Sequence, residues 1–379
     1  MQLQLNSDQE LFRETTAKFL DDHVPPSEIR RLRDDPAGFE PSYWRRGAEL
    51  GWTSLLVAEG RGGGSISGHG LLDLALVANE LGRRAAPGPL VATNVVAAAL
   101  SADGGDAHAD ALAGVIAGDS IATWCFGEPR PNDRLGAVAL DVRREGGDVV
   151  VSGVKRPVES AAQATHLLVT GRTGSGLTQV LVPADSPGVS IEPMHGVDLT
   201  RRFAVVAFDR VRLPAGAVVG EVGRAGERVE RQLRIALVLL CAESVGAMQS
   251  AFDRTVAWAF DRYSFGRPLA SYQALKHRFA DMKAWLEASH AVSDAAAAAV
   301  DAASAEASEL ASAAKAYVGD YGAELLQDCV QLHGGIGVTF EHDLHLLLRR
   351  LTSNRALYGT PAEHRRRIAD LVEARGAAA

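Results

Sequence analysis

VERQLRIALVLLCAESVGAMQSAFDRTVAWAFDRY, residues Val229–Tyr263, is long and largely apolar along one face, and it decides the fold. At 3.6 residues per turn it predicts one helix of about ten turns. Such a helix needs others beside it to cover its apolar face. They follow at once: Tyr272–Ala303, whose Ala296–Ala299 run favours helix, Ser308–Leu332 ending at Gly334-Gly335, Asp343–Leu357 and Ala362–Ala374. Long antiparallel helices with short links predict a four-helix bundle over residues 216–379.

Upstream the pattern changes. From Ser120 to Pro214 the apolar runs are short and β-branched: Val149–Val151 after the turn Glu145-Gly-Gly-Asp148, then Leu167–Val169, Val180–Val182 and Ala204–Phe208. These predict a small β-barrel or sandwich domain at 118–215. Residues 1–117 read as helical. Ser7-Asp8-Gln9-Glu10 has the form of a cap before Leu11, Phe12, Thr15, Phe19 and Leu20. Helices are expected at Pro41–Leu50, stopped by Gly51, and at Leu71–Leu81, stopped by Gly82. Gly60–Gly64 lacks the Lys-Ser/Thr of a phosphate loop and reads as a turn. The fold class expected is α+β: helices, a β domain, then a bundle.

Composition narrows the function. A chain of 379 residues fits two or three domains, and 47% hydrophobic with 23% charged residues marks a globular one. With 39 basic against 47 acidic residues the net charge is −8, which argues against bulk binding to nucleic acid or an anionic membrane. Cys125, Cys241 and Cys329 are scattered, so neither a zinc site nor a disulfide framework is expected. Met1 leads into polar sequence and no run of about 18 apolar residues is evident, so a cytoplasmic location is expected.

Two motifs flank the bundle helices: Arg262-x-x-Phe265-Gly266-x-Pro268-x(4)-Gln273, and Gln331-x-x-Gly334-Gly335-x-Gly337. With Glu49-Leu-Gly-Trp52, Glu80-Leu-Gly-Arg83, Lys276–Met282 and Gly359-Thr360, in this domain order, the chain resembles the acyl-CoA dehydrogenase family nearly end to end. The resemblance implies FAD, an acyl-CoA thioester substrate, an electron-transfer flavoprotein as acceptor, and a tetramer in which each flavin lies across two subunits. Arg262 would then meet the pyrophosphate, since a guanidinium offers paired donors to phosphate oxygens. Phe265 would pack on the cofactor, Gln273 and Gln331 would donate and accept, and Gly334-Gly335 would let the backbone approach closely.

The same resemblance exposes departures. The family removes a proton α to the thioester carbonyl with a carboxylate before Gly-Thr, while the β carbon passes a hydride to flavin N5. That position here is Tyr358. A phenol of pKa about 10 is about one part in a thousand ionised at pH 7, so its use as phenolate costs about 4 kcal/mol. The alternative base position on the first bundle helix is Ala236-Leu237, both inert. Glu243, about two turns further on the same face, is a weak candidate. In the β domain, Trp124–Pro129 is followed by Arg130-Pro131-Asn132-Asp133 where the family has a Gly-rich segment. The Lys-x-Trp-Ile-Thr segment that lines the flavin ring and bonds N5 appears as Lys155–Ser160, with Glu159 beside the ring position and Ser160 one place late.

Three readings follow. The chain is one subunit of a heteromeric acyl-CoA dehydrogenase, of the steroid side-chain type, supplying the ADP-binding half while a related chain supplies ring pocket and base. Alternatively it is a self-sufficient homotetramer with Glu243 or Glu159 as relocated base, or a divergent flavin monooxygenase on the same fold.

Overall fold

A computed structural model describes residues 5–132 and 134–378; Asp133, the last of the Arg130–Asp133 departure, lies outside them. The chain begins with α1 (Ser7–His23), α2 (Pro26–Arg31), α3 (Pro41–Glu49), α4 (Gly70–Arg84), α5 (Leu90–Asp103) and α6 (Ala109–Ile116). The cap of α1 is Asn6, not Ser7. A capping box spans three residues, and Gln9 stands at that spacing from Asn6: the Asn6 Oδ1 accepts from Gln9 N at 2.9 Å and Gln9 Oε1 accepts from Asn6 N at 3.2 Å. Gln9 Nε2 then donates to buried Asp73 at 2.8 Å, which fixes α1 against α4.

The expected stop at Gly82 is overturned. Helix α4 runs through it to Arg84 and ends with Ala85 in the left-handed region at φ 50°. Gly82 serves a crossing instead. A Cβ there would lie 1.9 Å from the Glu243 carbonyl oxygen, and one at Gly246 would lie 2.1 Å from that of Asn79. Both glycines let α4 and α7 (Gly226–Asp261) touch backbone to backbone, and Asn79 Nδ2 seals the contact on Ala242 O at 3.1 Å.

The expected strands form one eight-stranded sheet. One half holds β6 (Val189–Met194), β7 (Phe203–Pro214), β3 (Asp148–Glu159) and β2 (Asp141–Glu145); the other holds β1 (Ala122–Cys125), β4 (His166–Thr173), β5 (Gly176–Pro183) and β8 (Val218–Val219). A single residue pair, Asp141 with Arg172, joins β2 to β4. Val149, Val151, Val158 and Val206 of the first half share a core with Leu167, Val169, Val180 and Val182 of the second. The domain is therefore one sheet folded over its own core.

The expected bundle is α7, α8 (Gln273–Asp301), α9 (Ala307–His333) and α10 (Leu344–Ala356), with α11 (Pro361–Ala378) as a fifth helix packed on α9. Contrary to the sequence expectation, α7 carries a window apolar enough to cross a membrane, but 94% of it is buried within the fold, so it is the core helix of the molecule. Because α7 and α8 are antiparallel and α9 reverses again, the C-terminus of α7, the N-terminus of α8 and the C-terminus of α9 lie at one end of the bundle.

Candidate functional site

That end carries the first motif as a tight hairpin. Tyr263–Ser264 (β9) pairs with Arg267–Pro268 (β10), and the two turn residues, Phe265 and Gly266, have φ of 49° and 80°. Two positive φ values are what a two-residue hairpin turn demands, and only glycine takes them freely. Phe265 is thus held in a costly conformation while 98% exposed. Arg262 at the end of α7, Gln273 at the start of α8 and Gln331 near the end of α9 are all exposed. Gly334 has φ 64° and ψ −140°, and a Cβ at Gly334 or Gly335 would meet nothing, so this backbone faces open space.

A second feature lies where the β domain meets the bundle: a cavity of about 600 Å³ whose walls include Phe126, Arg156, Pro157, Glu159, Tyr358 and Glu363. Tyr358 is in the left-handed region at φ 53° and stacks on Trp124, centroids 5.4 Å apart, while Trp124 also stacks on Phe126 at 4.4 Å. Burial and the nearby Glu159 push the Tyr358 phenol well above its ordinary range. It is a poorer base here than in water. The segment bearing it is held by Lys315, a buried cation whose Nζ donates to the carbonyls of Asn354, Arg355 and Gly359 at 2.7–3.0 Å and whose pKa burial pushes down to about 8. Glu363 ties the same segment to the Leu135 loop, accepting from Leu135 N at 3.0 Å and Thr360 N at 2.9 Å.

Behind the cavity runs a buried ionic network. Arg350, 1% exposed in its side chain, donates to Asp198 at 2.5 Å, Glu243 at 2.7 Å, Thr200 Oγ1 at 2.7 Å, and the carbonyls of Ala85 and Ala86. Glu243 also accepts from Arg201 at 2.7 Å and Asn354 at 2.8 Å. It is not among the residues lining the cavity. The weak base candidate is therefore committed to holding elements together. Glu159 differs. It lines the cavity, lies 3.3 Å from Arg201 Nε, and neither of its oxygens receives a well-formed hydrogen bond among the described residues. Burial raises its pKa, and Glu243 and Asp198 add to that against the pull of Arg201 and Arg350. Asp198 goes the other way: Arg350 and Arg201 outweigh its burial and hold it below the ordinary carboxylate value.

Residues 6–119 match the acyl-CoA dehydrogenase N-terminal domain and residues 226–372 its C-terminal domain. The chain belongs to the acyl-CoA dehydrogenase family. It is 31% identical over 362 residues to the acyl-CoA dehydrogenase IpdE2 of Mycobacterium tuberculosis, covering 95% of this chain and 96% of that one. It is 29% identical over 365 residues to IpdE2 of Mycolicibacterium smegmatis, covering 96% and 98%. A solved subunit of the Tcur3481–Tcur3483 steroid ACAD superposes with a TM-score of 0.88 at 27% identity, covering 98% of this chain and 99% of that one. Acyl-CoA dehydrogenases are FAD-dependent oxidoreductases.

The two ends of an FAD meet different receptions in this acyl-CoA dehydrogenase. At the bundle end, exposed donors and an unobstructed glycine backbone fit a diphosphate: Arg262, Gln273, Gln331, Gly334 and Gly335 would hold it, and Phe265 would cover it. At the cavity the residues do not fit a flavin ring. Glu159, which the family pattern sets against the ring's N5, lines the cavity as a carboxylate that offers no donor when ionised. Pro157 falls where the family pattern has its stacking aromatic, and Trp124 is flanked by Phe126 and Tyr358. Three carboxylates line the cavity with Tyr358: Glu128, which accepts from Lys155 Nζ at 2.7 Å, Glu363, which accepts from the backbone N–H groups of Leu135 and Thr360, and Glu159.

Replacing Glu159 by Gln keeps its shape and removes its titration. Its folded pKa lies above the ordinary 4.5, so its contribution to stability is full below about pH 4.5 and is lost as pH rises through the folded value. The variant should match the wild type near pH 4.5 and exceed it by about 1–3 kcal/mol at pH 8 in urea unfolding. A less stable variant at pH 8 would mean that the pair with Arg201 is net favourable.

Arg201, Arg350, Asp198, Asn354 and Lys315 were not anticipated. The available signal was a charged residue interrupting an apolar helical stripe, as Arg350 does after Leu346, Leu347 and Leu348, and Lys315 does among alanines.

Proposed function

We propose that this chain is the base-less subunit of a heteromeric acyl-CoA dehydrogenase that desaturates acyl-CoA thioesters, of the steroid side-chain kind, and that it supplies the ADP-binding half of a shared FAD site. The observation that carries the reading is Glu159: a buried carboxyl facing the cavity at the ring position, while the phosphate-binding end is left open. The similarity to the acyl-CoA dehydrogenase IpdE2 supports an acyl-CoA substrate, and that to the steroid ACAD subunit supports the steroid kind.

When bound, FAD supplies the ring that accepts a hydride. This chain's part is to hold and orient. Arg262 neutralises diphosphate charge, Gln273 and Gln331 bond polar groups beside it, and the Gly334-Gly335 turn approaches without a side chain in the way. Base and ring pocket come from a related partner subunit, with an electron-transfer flavoprotein as the electron acceptor.

The test is co-expression with the adjacent genes and purification through a tag on this chain alone. Equal amounts of this chain and a second acyl-CoA dehydrogenase chain, in a tetramer by native mass spectrometry, support the reading. A homotetramer refutes it.

One alternative has an observation behind it. The raised pKa of Glu159 in the cavity also suits a relocated base in a self-sufficient enzyme. In that case the isolated chain would bleach its flavin on adding acyl-CoA, and Glu159→Gln would abolish the bleaching.

A further inference from the structure

The phosphate-binding residues sit on different helices, and no hydrogen bond or ion pair of the Arg262 side chain secures it among the described residues. What lies beneath it is Trp258, one turn earlier on α7, with the Arg262 guanidinium carbon 5.8 Å from the ring centroid. The same indole stacks on His333, centroids 5.3 Å apart and planes 16° from parallel. His333 is the last residue of α9 and directly precedes Gly334. Its ring in turn packs on His342 at 4.5 Å.

The imidazole is held in one state. His333 Nδ1 lies 2.8 Å from the Cys329 carbonyl oxygen, and a carbonyl can only accept, so the proton is on Nδ1. Burial pushes its pKa down, which keeps the ring neutral for stacking. The indole N–H of Trp258 is buried with no acceptor among the described residues. Ring contacts, not hydrogen bonds, therefore fix Trp258.

We propose that the Trp258–His333 stack is the positioning element of the phosphate grip, joining Arg262 on α7 to the Gly334-Gly335 turn after α9 so that both are presented in one fixed relation. This rests on the reading above that these residues hold the ADP portion. Trp258 acts through Arg262, and His333 through the backbone of the turn. An arginine freed from the indole would have to be ordered anew each time a diphosphate bound, at a cost in side-chain entropy.

The experiment compares wild type, Trp258→Ala, Trp258→Phe and His333→Ala as full chains, alone and in the complex obtained by co-expression. ADP is the probe, by calorimetry. Trypsin cleavage after Arg262, followed by mass, reports the order of that residue without any nucleotide. Removing either ring should weaken ADP binding about threefold to tenfold and speed cleavage after Arg262. Trp258→Phe, which keeps a stacking ring, should restore both, with circular dichroism unchanged throughout. ADP affinity unchanged in Trp258→Ala overturns the proposal, as does a Trp258→Phe variant no better than alanine. A wild type that binds no ADP sinks the reading of the grip instead. The cleavage rates then decide on the stack by themselves: faster in alanine and normal in phenylalanine supports it, and equal rates overturn it.

Discussion

Arg350→Ala is expected to lower the unfolding free energy by about 3–5 kcal/mol. Arg350 spends all its N–H groups on five acceptors: Asp198, Glu243, Thr200 and the carbonyls of Ala85 and Ala86. Those acceptors belong to the β domain, α7 and the end of α4, so one guanidinium joins all three parts of the molecule. Its removal takes the bonded guanidinium from Asp198, 6% exposed, and leaves Glu243, 3% exposed, with Arg201 and Asn354 as its remaining partners. The loss exceeds what the missing hydrogen bonds alone would give, because each carboxylate keeps its desolvation cost. Lysine should not rescue, since an ammonium has three donors on one atom and cannot reach acceptors in a plane. Urea unfolding followed by circular dichroism measures the effect. A change under about 1 kcal/mol would show that Arg201 carries the network without Arg350.

Arg262→Ala should have the opposite profile: folding intact, nucleotide binding lost. The side chain is exposed and makes no ion pair or hydrogen bond among the described residues, so truncation leaves no buried partner stranded. A charge-assisted bond to phosphate contributes about 1.5–3 kcal/mol, which corresponds to about tenfold to a hundredfold in affinity. Calorimetry with ADP on the co-expressed complex gives the number, with the thermal midpoint as control. Arg262→Lys should fall between, keeping the charge and losing the paired geometry. Binding within twofold of wild type in Arg262→Ala would remove this residue from the grip.

The sequence reached the architecture because its signals were local. The apolar stripe of Val229–Tyr263 and the Gly146-Gly147 turn between paired β2 and β3 are both set by neighbours along the chain. Where the decisive partner was remote, local reasoning failed. Gly82 looked like a helix stop, yet it is small because the Glu243 backbone crosses it. Glu243 looked like an acid in an apolar stretch. Its partners stand 42, 107 and 111 residues away, at Arg201, Arg350 and Asn354, and no spacing rule brings those together. The motif residues from Arg262 to Gly335 could be gathered only through the family pattern, and the helix ends that carry them meet at one end of the bundle. The stack that underlies them was not legible, since Trp258 and His333 meet only after α7 and α9 have packed.

We propose that this chain grips phosphate and does not seat a flavin ring against its own β domain. Counting flavin against chains tests it most directly: release FAD from the co-expressed complex with acid, quantify it by absorbance, and divide by the amount of each subunit. About one FAD for each pair of unlike chains is expected, and none retained by this chain purified alone. One FAD per chain in a homotetramer, bleached by an acyl-CoA thioester, would contradict the proposal.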